Sequence, residues 1–169
     1  YNPNSGSDNA SFCINSDPGY IVPIVGSTSQ TPCSYGQYQP VSGQSSCFLA
    51  NAGYFVNTTA ATSQEACEIG NYQASTGQSN CIIASPGHYV DEPAATSQTA
   101  CPTGAYNPYS QSTACTDADA GHYVETPGSS SQAQCTPGYY QPQHGQDSCL
   151  GADPGHFVRT WASTSQIPA

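Results

Sequence analysis

The sequence predicts a small, disulfide-rich all-β fold: an elongated tandem array of about 17-residue hairpin modules with no sizeable core and essentially no helix. Three observations predict it. The nine cysteines, at 13, 33, 47, 67, 81, 101, 115, 135 and 149, are separated by gaps that alternate 20 and 14. Glycines recur every 17 residues, at 19, 36, 53, 70, 87, 104, 121, 138 and 155. Long aliphatic side chains are scarce, with Leu49 and Leu150 the only leucines among 169 residues, so one globular core cannot offset the chain entropy of folding.

The cysteine gaps sum to a 34-residue repeat, and repeats of such a period are the mark of arrays. Repeat 1 spans 1–33, repeat 2 34–67, repeat 3 68–101, repeat 4 102–135 and repeat 5 136–169. Half of each unit reads like Ser-Pro-Gly-His-Tyr-Val (85–90) or Asp-Pro-Gly-His-Phe-Val (153–158) and closes on Thr-Ser-Gln or Ser-Ser-Gln. Beneath this lies the 17-residue module. Two residues after each glycine comes Tyr38, Phe55, Tyr72, Tyr89, Tyr106, Tyr123, Tyr140 or Phe157, with aliphatic Ile21 in the first copy.

Alternate modules differ in whether they keep their cysteines, and this bears on the pairing. Shifting Cys33/Cys47, Cys67/Cys81, Cys101/Cys115 and Cys135/Cys149 by 17 lands on Ala50/Gln64, Ala84/Gln98, Ala118/Gln132 and Ala152/Gln166. Both members of each pair are lost together, as bonded partners would be. The expected bridges are therefore 33–47, 67–81, 101–115 and 135–149, each closing a loop of about 15 residues worth ~3 kcal/mol in the chain-entropy model. Pairing across the 20-residue gaps is the alternative. On the favoured pairing Cys13 is unpaired within the chain, and its partner is expected just before Tyr1. Ala169 falls at a cysteine position, so the sequence reads as a window on a longer array, mature, processed or a fragment, as its opening on Tyr1 rather than Met also implies.

Within a module, pairs such as Pro18-Gly19, Pro86-Gly87, Pro137-Gly138 and Pro154-Gly155 fit type II turns, with proline fixing φ and glycine supplying φ > 0. The aromatic then opens a short strand. A second turn is expected at Ser42-Gly43, Thr76-Gly77 and His144-Gly145, and a strand returns toward the next cysteine. The aromatics would form a ladder, each ring on the next module's turn or disulfide. At ordinary sheet spacing each module would add ~10 Å, making a rod on the order of 100 Å long.

The motif Cys-x-x-Gly-x-Tyr-Gln-Pro-x-x-Gly-Gln-x-Ser-Cys, as in Cys33 to Cys47 and Cys135 to Cys149, resembles the ephrin-receptor-like cysteine-rich repeats (GCC2/GCC3 type), cousins of the modules in TNF-receptor and EGF-like arrays. The likeness covers nearly the whole chain. It departs from the family's Cys-x-x-Cys, since Ala50 follows Cys47 and Gln64 precedes Cys67, leaving every second module without its staple. The resemblance implies a place in receptor ectodomains or in large surface and fibre proteins such as flagellar mastigonemes. The uniform spacing here is closer to the second group.

Composition and chemistry narrow the function. Eleven acids against one base, Arg159, give a net charge of −10, which excludes phosphate-backbone binding and disfavours anionic membranes. The sequence contains no run of about 20 apolar residues, the length needed to span a bilayer. Regular cysteines in a core-poor chain point to an oxidising, extracellular or cell-surface setting. His88, His122 and His156 recur every 34 residues, which on stacked modules would hold them too far apart for one metal. Asp91-Glu92 and Asp117/Asp119 could suit calcium but do not recur in other repeats. No Gly-x-Ser-x-Gly is present, and with no Lys little could hold an oxyanion or a phosphate, so no catalytic, cofactor or metal residues are expected. Asn9-Ala-Ser and Asn57-Thr-Thr are sequons for N-glycans. Trp161 and Arg159, unique in the chain, are either a contact between chains or a local variation. The expected function is a structural component of an extracellular fibre or surface appendage, partnered by copies of itself or flanking repeats and by covalent glycans. The alternative is a ligand-binding or adhesive segment of a receptor ectodomain.

Overall fold

The computed structural model describes residues 1–3 and 13–169, and among these there is no helix. The strands are all two residues long and form nine two-stranded sheets. In one class of module, Gln37–Tyr38 pairs with Phe48–Leu49, Asn71–Tyr72 with Ile82–Ile83, Ala105–Tyr106 with Thr116–Asp117, and Tyr139–Tyr140 with Leu150–Gly151. In the other, Tyr20–Ile21 pairs with Thr31–Pro32, Tyr54–Phe55 with Glu65–Ala66, His88–Tyr89 with Thr99–Ala100, His122–Tyr123 with Ala133–Gln134, and His156–Phe157 with Ile167–Pro168. The expected hairpin module is therefore the unit of the fold.

The first turn of each hairpin follows from its sequence. Tyr20 N–H donates to the Asp17 carbonyl at 3.0 Å across Pro18-Gly19, and His88 N–H to that of Ser85 at 3.0 Å across Pro86-Gly87. Gly19 and Gly87, third in these turns, have φ of 84° and 81°, as a type II turn requires. The second turn also holds one residue in the left-handed region. It is glycine at 26, 43, 77, 128 and 145, but Ala60, Ala94, Gln111 and Ala162 occupy the same slot with φ of 54–60°. Glycine counts alone therefore missed that this turn is geometrically the same in every module.

A two-residue hairpin cannot stand alone in water. Here the residues flanking the first strand of a hairpin donate their backbone N–H groups to the following module, and a residue of that module's second turn donates back. The chain divides into two compact units, and the same stitching runs inside each. The first comprises Tyr1–Glu68, Tyr72–Ile82 and Pro93–Thr96. In it, Gly36 N–H donates to the Val56 carbonyl at 2.8 Å, Gln39 N–H to that of Ala61 at 3.0 Å, and Ala60 N–H back to that of Cys33 at 2.8 Å. The second comprises Ile69–Asn71, Ile83–Glu92 and Ser97–Ala169. There Gly104 donates to Val124 at 2.8 Å, Asn107 to Ser129 at 3.1 Å, and Gly128 back to Cys101 at 2.8 Å. At roughly 1 kcal/mol net per bond, three such bonds between neighbours carry order that a hydrophobic core would carry elsewhere.

What is buried is correspondingly small and periodic. One column of equivalent positions is Ser16, Cys33, Ala50 and Cys67 in the first unit, and Ala84, Cys101, Ala118 and Cys135 in the second, all at 0–1% exposure. A second alternates amide and valine: Gln39, Val56 and Gln73 in the first unit, and Val90, Asn107, Val124, Gln141 and Val158 in the second. The buried glutamines are satisfied within their modules, whereas Asn107 Nδ2 donates at 2.8 Å to the His88 carbonyl of the preceding module while its Oδ1 accepts from Tyr109 N–H at 3.1 Å. Gln73 Nε2 donates to the Asn80 carbonyl at 2.8 Å while its Oε1 accepts from Ser75 N–H at 3.0 Å, and Gln39 and Gln141 do the same one repeat before and two repeats after. Among the described residues no buried side-chain polar atom lacks a partner.

Candidate functional site

The chemistry of this chain lies in how each module is closed. Four disulfides join Cys33–Cys47, Cys67–Cys81, Cys101–Cys115 and Cys135–Cys149, each across 14 residues with Cα atoms 5.7–5.9 Å apart. This is the pairing that the joint cysteine losses predict, and it rules out pairing across the 20-residue gaps. The first cysteine of each bridge is fully buried in the small-residue column and the second is half-exposed. Cys13 keeps an exposed free thiol.

The modules without cysteines are not open. At the slot of the second cysteine, a glutamine side chain closes the same loop by hydrogen bonding. Its Oε1 accepts the backbone N–H of the residue just after the buried small residue: Gln30 from Asp17 at 2.8 Å, Gln64 from Asn51 at 2.7 Å, Gln98 from Ser85 at 2.8 Å, Gln132 from Asp119 at 2.6 Å and Gln166 from Asp153 at 2.7 Å. Where that residue is aspartate, the amide nitrogen donates in return to the carboxylate, at 2.8 Å in Gln30–Asp17 and 2.7 Å in Gln132–Asp119, and likewise in Gln166–Asp153. The alternate modules do lack the disulfide staple, as the sequence implies, and a glutamine clasp stands in its place. The recurrent Thr-Ser-Gln ending carried the signal, but a glutamine at a cysteine slot reads as a vacancy until its amide is seen to reach the backbone.

The other sequence-selected residues fall into place around these closures. The aromatics Tyr38, Phe55, Tyr72, Tyr89, Tyr106, Tyr123, Tyr140 and Phe157 are all half-buried on the first strands of their hairpins. They are not a stack of rings: among the described residues the one ring pair is Tyr38–Phe48, across a single hairpin with centroids 5.8 Å apart. Their reach to the next module is seen at Tyr89 and Tyr123, which line hollows that Cys115 and Cys149 of the next module also line. His88, His122 and His156 each begin a strand, with Nδ1 3.3–3.4 Å from the carbonyl two residues earlier, so each imidazole is engaged by its own turn. Among the described residues no three His, Cys, Asp or Glu side chains gather as a metal-binding group would. Asp119 is held by its clasp and lies 3.9 Å from His144 Nδ1, while Asp91, Glu92 and Asp117 are exposed. Arg159 folds over its own module, its guanidinium carbon 4.4 Å from the Phe157 ring centroid, whereas Trp161 is 60% exposed. Asn57 is exposed, and Asn9 lies outside the described residues.

Fold and closures together define a tandem array of small disulfide-rich β-hairpin modules, and four formed bridges belong to an oxidising compartment. Within it, residues 53–101 match the tyrosine-protein kinase ephrin type A/B receptor-like family. This segment holds the 67–81 bridge and the Gln98–Ser85 clasp. No curated protein matches the chain. Among the described residues no helix is long and apolar enough to cross a membrane.

Proposed function

We propose that this chain is a structural segment of an extracellular fibre or surface appendage, glycosylated at Asn9 and Asn57 and partnered by further modules of its own kind. The observation that carries the reading is the uniformity of the joint between modules. The same three backbone bonds recur from module to module in each unit, whichever closure the module uses. Backbone bonds ask little of side-chain identity, so they suit a repeat that is extended by copying. A recognition surface is built the other way, from side chains that differ at each contact. The acidic, lysine-free surface would keep such an assembly soluble.

A second reading is a ligand-binding or adhesive receptor ectodomain, and the match of residues 53–101 to an ephrin receptor-like family favours it. Both readings place the chain outside the cell or at its surface. Electron microscopy of the unreduced protein from its native source separates them. Filaments with a regular repeat support the structural reading, and isolated short particles bearing a membrane anchor support the receptor.

A further inference from the structure

Two cavities in the second unit are copies of one another. One, of about 490 Å³, is lined by Tyr123, Glu125, Tyr139, Asp147 and the half-exposed Cys149. The other, of about 330 Å³, is lined by Tyr89, Asp91, Ala105, Cys115 and Asp117. Shifting the second by one 34-residue repeat superimposes its lining on the first, save one position on each side: Gln134 belongs only to the larger cavity and Asp117 only to the smaller. Each cavity is thus lined by a tyrosine, a disulfide cysteine and two carboxylates, of which Asp91 and Glu125 are equivalent while Asp117 and Asp147 stand at different positions.

The carboxylates have no cationic partner of their own. The chain has no lysine and one arginine, and among the described residues none of Asp91, Asp117, Glu125 and Asp147 is in an ion pair. Asp147 accepts a hydrogen bond from Ser148 at 3.0 Å and keeps acceptor capacity. Each cavity offers too few carboxylates for a metal, which among the described residues finds no group of three ligands. The next repeat shows a cation on the equivalent ring. At the slots of Tyr123 and Glu125 stand Phe157 and Arg159, and there a guanidinium already lies over the ring at 4.4 Å from its centroid. An aromatic face attracts a cation through its quadrupole, and a carboxylate beside it takes guanidinium N–H groups in a fork.

We propose that these two pockets are docking sites for arginine side chains of a basic segment of a partner protein, one guanidinium per pocket, seated on Tyr89 with Asp91 and Asp117, and on Tyr123 with Glu125 and Asp147. Two like pockets in one unit would bind a segment carrying several arginines more tightly than either pocket alone. The proposal stands whether the chain belongs to a fibre or to a receptor.

The test is calorimetric titration of the full, disulfide-bonded chain with a capped tetra-arginine peptide at low salt. The uncharged citrulline counterpart serves as the peptide control. We expect binding to the arginine peptide and none to citrulline. Glu125→Gln with Asp147→Asn, and separately Asp91→Asn with Asp117→Asn, should each weaken binding about tenfold, and all four together should abolish it. Tyr123→Leu, which keeps an apolar wall, should also weaken it several-fold. Glu65→Gln with Glu92→Gln, which removes the same charge outside the pockets, should change affinity by less than about twofold. Equal losses in the pocket and control variants would overturn the proposal in favour of a diffuse acidic surface. Equal binding of citrulline, or no binding of the arginine peptide, would overturn it outright.

Discussion

The bare α-carbon of Gly36 packs against the carbonyl oxygen of Gly77, two modules further on, at a spot where a Cβ would overlap that oxygen. The relationship recurs as Gly19 on Ala60, Gly53 on Ala94, Gly87 on Gly128 and Gly121 on Ala162. A glycine here therefore serves two ends. It supplies the positive φ of the turn, and it lets the backbone two modules on approach its own.

These two roles can be separated by substitution. Gly138 shares the positive φ but has open space where its Cβ would point. Gly138→Ala should cost only the left-handed penalty, about 1–2 kcal/mol. Gly87→Ala should cost that and about 1–3 kcal/mol more for the overlap with backbone. Denaturant unfolding of both variants checks the ordering, and equal losses would show that close approach contributes nothing.

Staple and clasp close the same loop from the slot of the second cysteine, so they should be interchangeable. Ala118→Cys with Gln132→Cys places cysteines where Cys101 and Cys115 stand one module earlier. A fifth bridge should form, seen as the loss of two hydrogens by mass and a stabilisation of up to about 3 kcal/mol. The converse, Cys101→Ala with Cys115→Gln, should keep the hairpin and lose a similar amount. Heteronuclear NMR would show the Ala105–Asp117 and Tyr106–Thr116 pairing retained.

The buried amide column is the most vulnerable part of the stapled modules. Gln73→Leu keeps the volume but strands the Ser75 N–H and the Asn80 carbonyl that the amide satisfies. The expected loss is about 1–3 kcal/mol. Gln44→Leu, at an exposed side chain bonded only to the nearby Ser42 carbonyl, should cost far less. Thermal unfolding of the pair decides it.

Exposed Asn57 should carry an N-glycan when the chain is secreted by a eukaryotic cell, and Thr59→Ala should remove it. Peptide mass mapping before and after enzymatic deglycosylation reads this out. An unmodified Asn57 in native material would remove glycan from this face.

Much of this was legible in the sequence because it is written in residue types that have one main use. Glycine every 17 residues marks the first turn, and jointly lost cysteines mark the bridges. What stayed hidden rests on residues with many uses. Gln132 resembles any polar surface residue until its carbonyl meets the Asp119 N–H. Ala60, Ala94 and Ala162 give no sign of positive φ, because the second turn is imposed by the neighbouring module through bonds such as Ala60 N–H to Cys33. The paired cavities were invisible because their walls come from successive modules.

The central claim is that backbone bonds between modules, not the disulfides alone, hold the array together. Amide hydrogen exchange tests it most directly. The account predicts strong protection of the Gly36, Gly53, Gly104 and Gly121 amides alike, although Gly36 and Gly104 lie in stapled modules and Gly53 and Gly121 in clasped ones. Protection of the stapled pair with free exchange of the clasped pair would contradict it, and would leave the clasped modules as loose connectors between covalent knots.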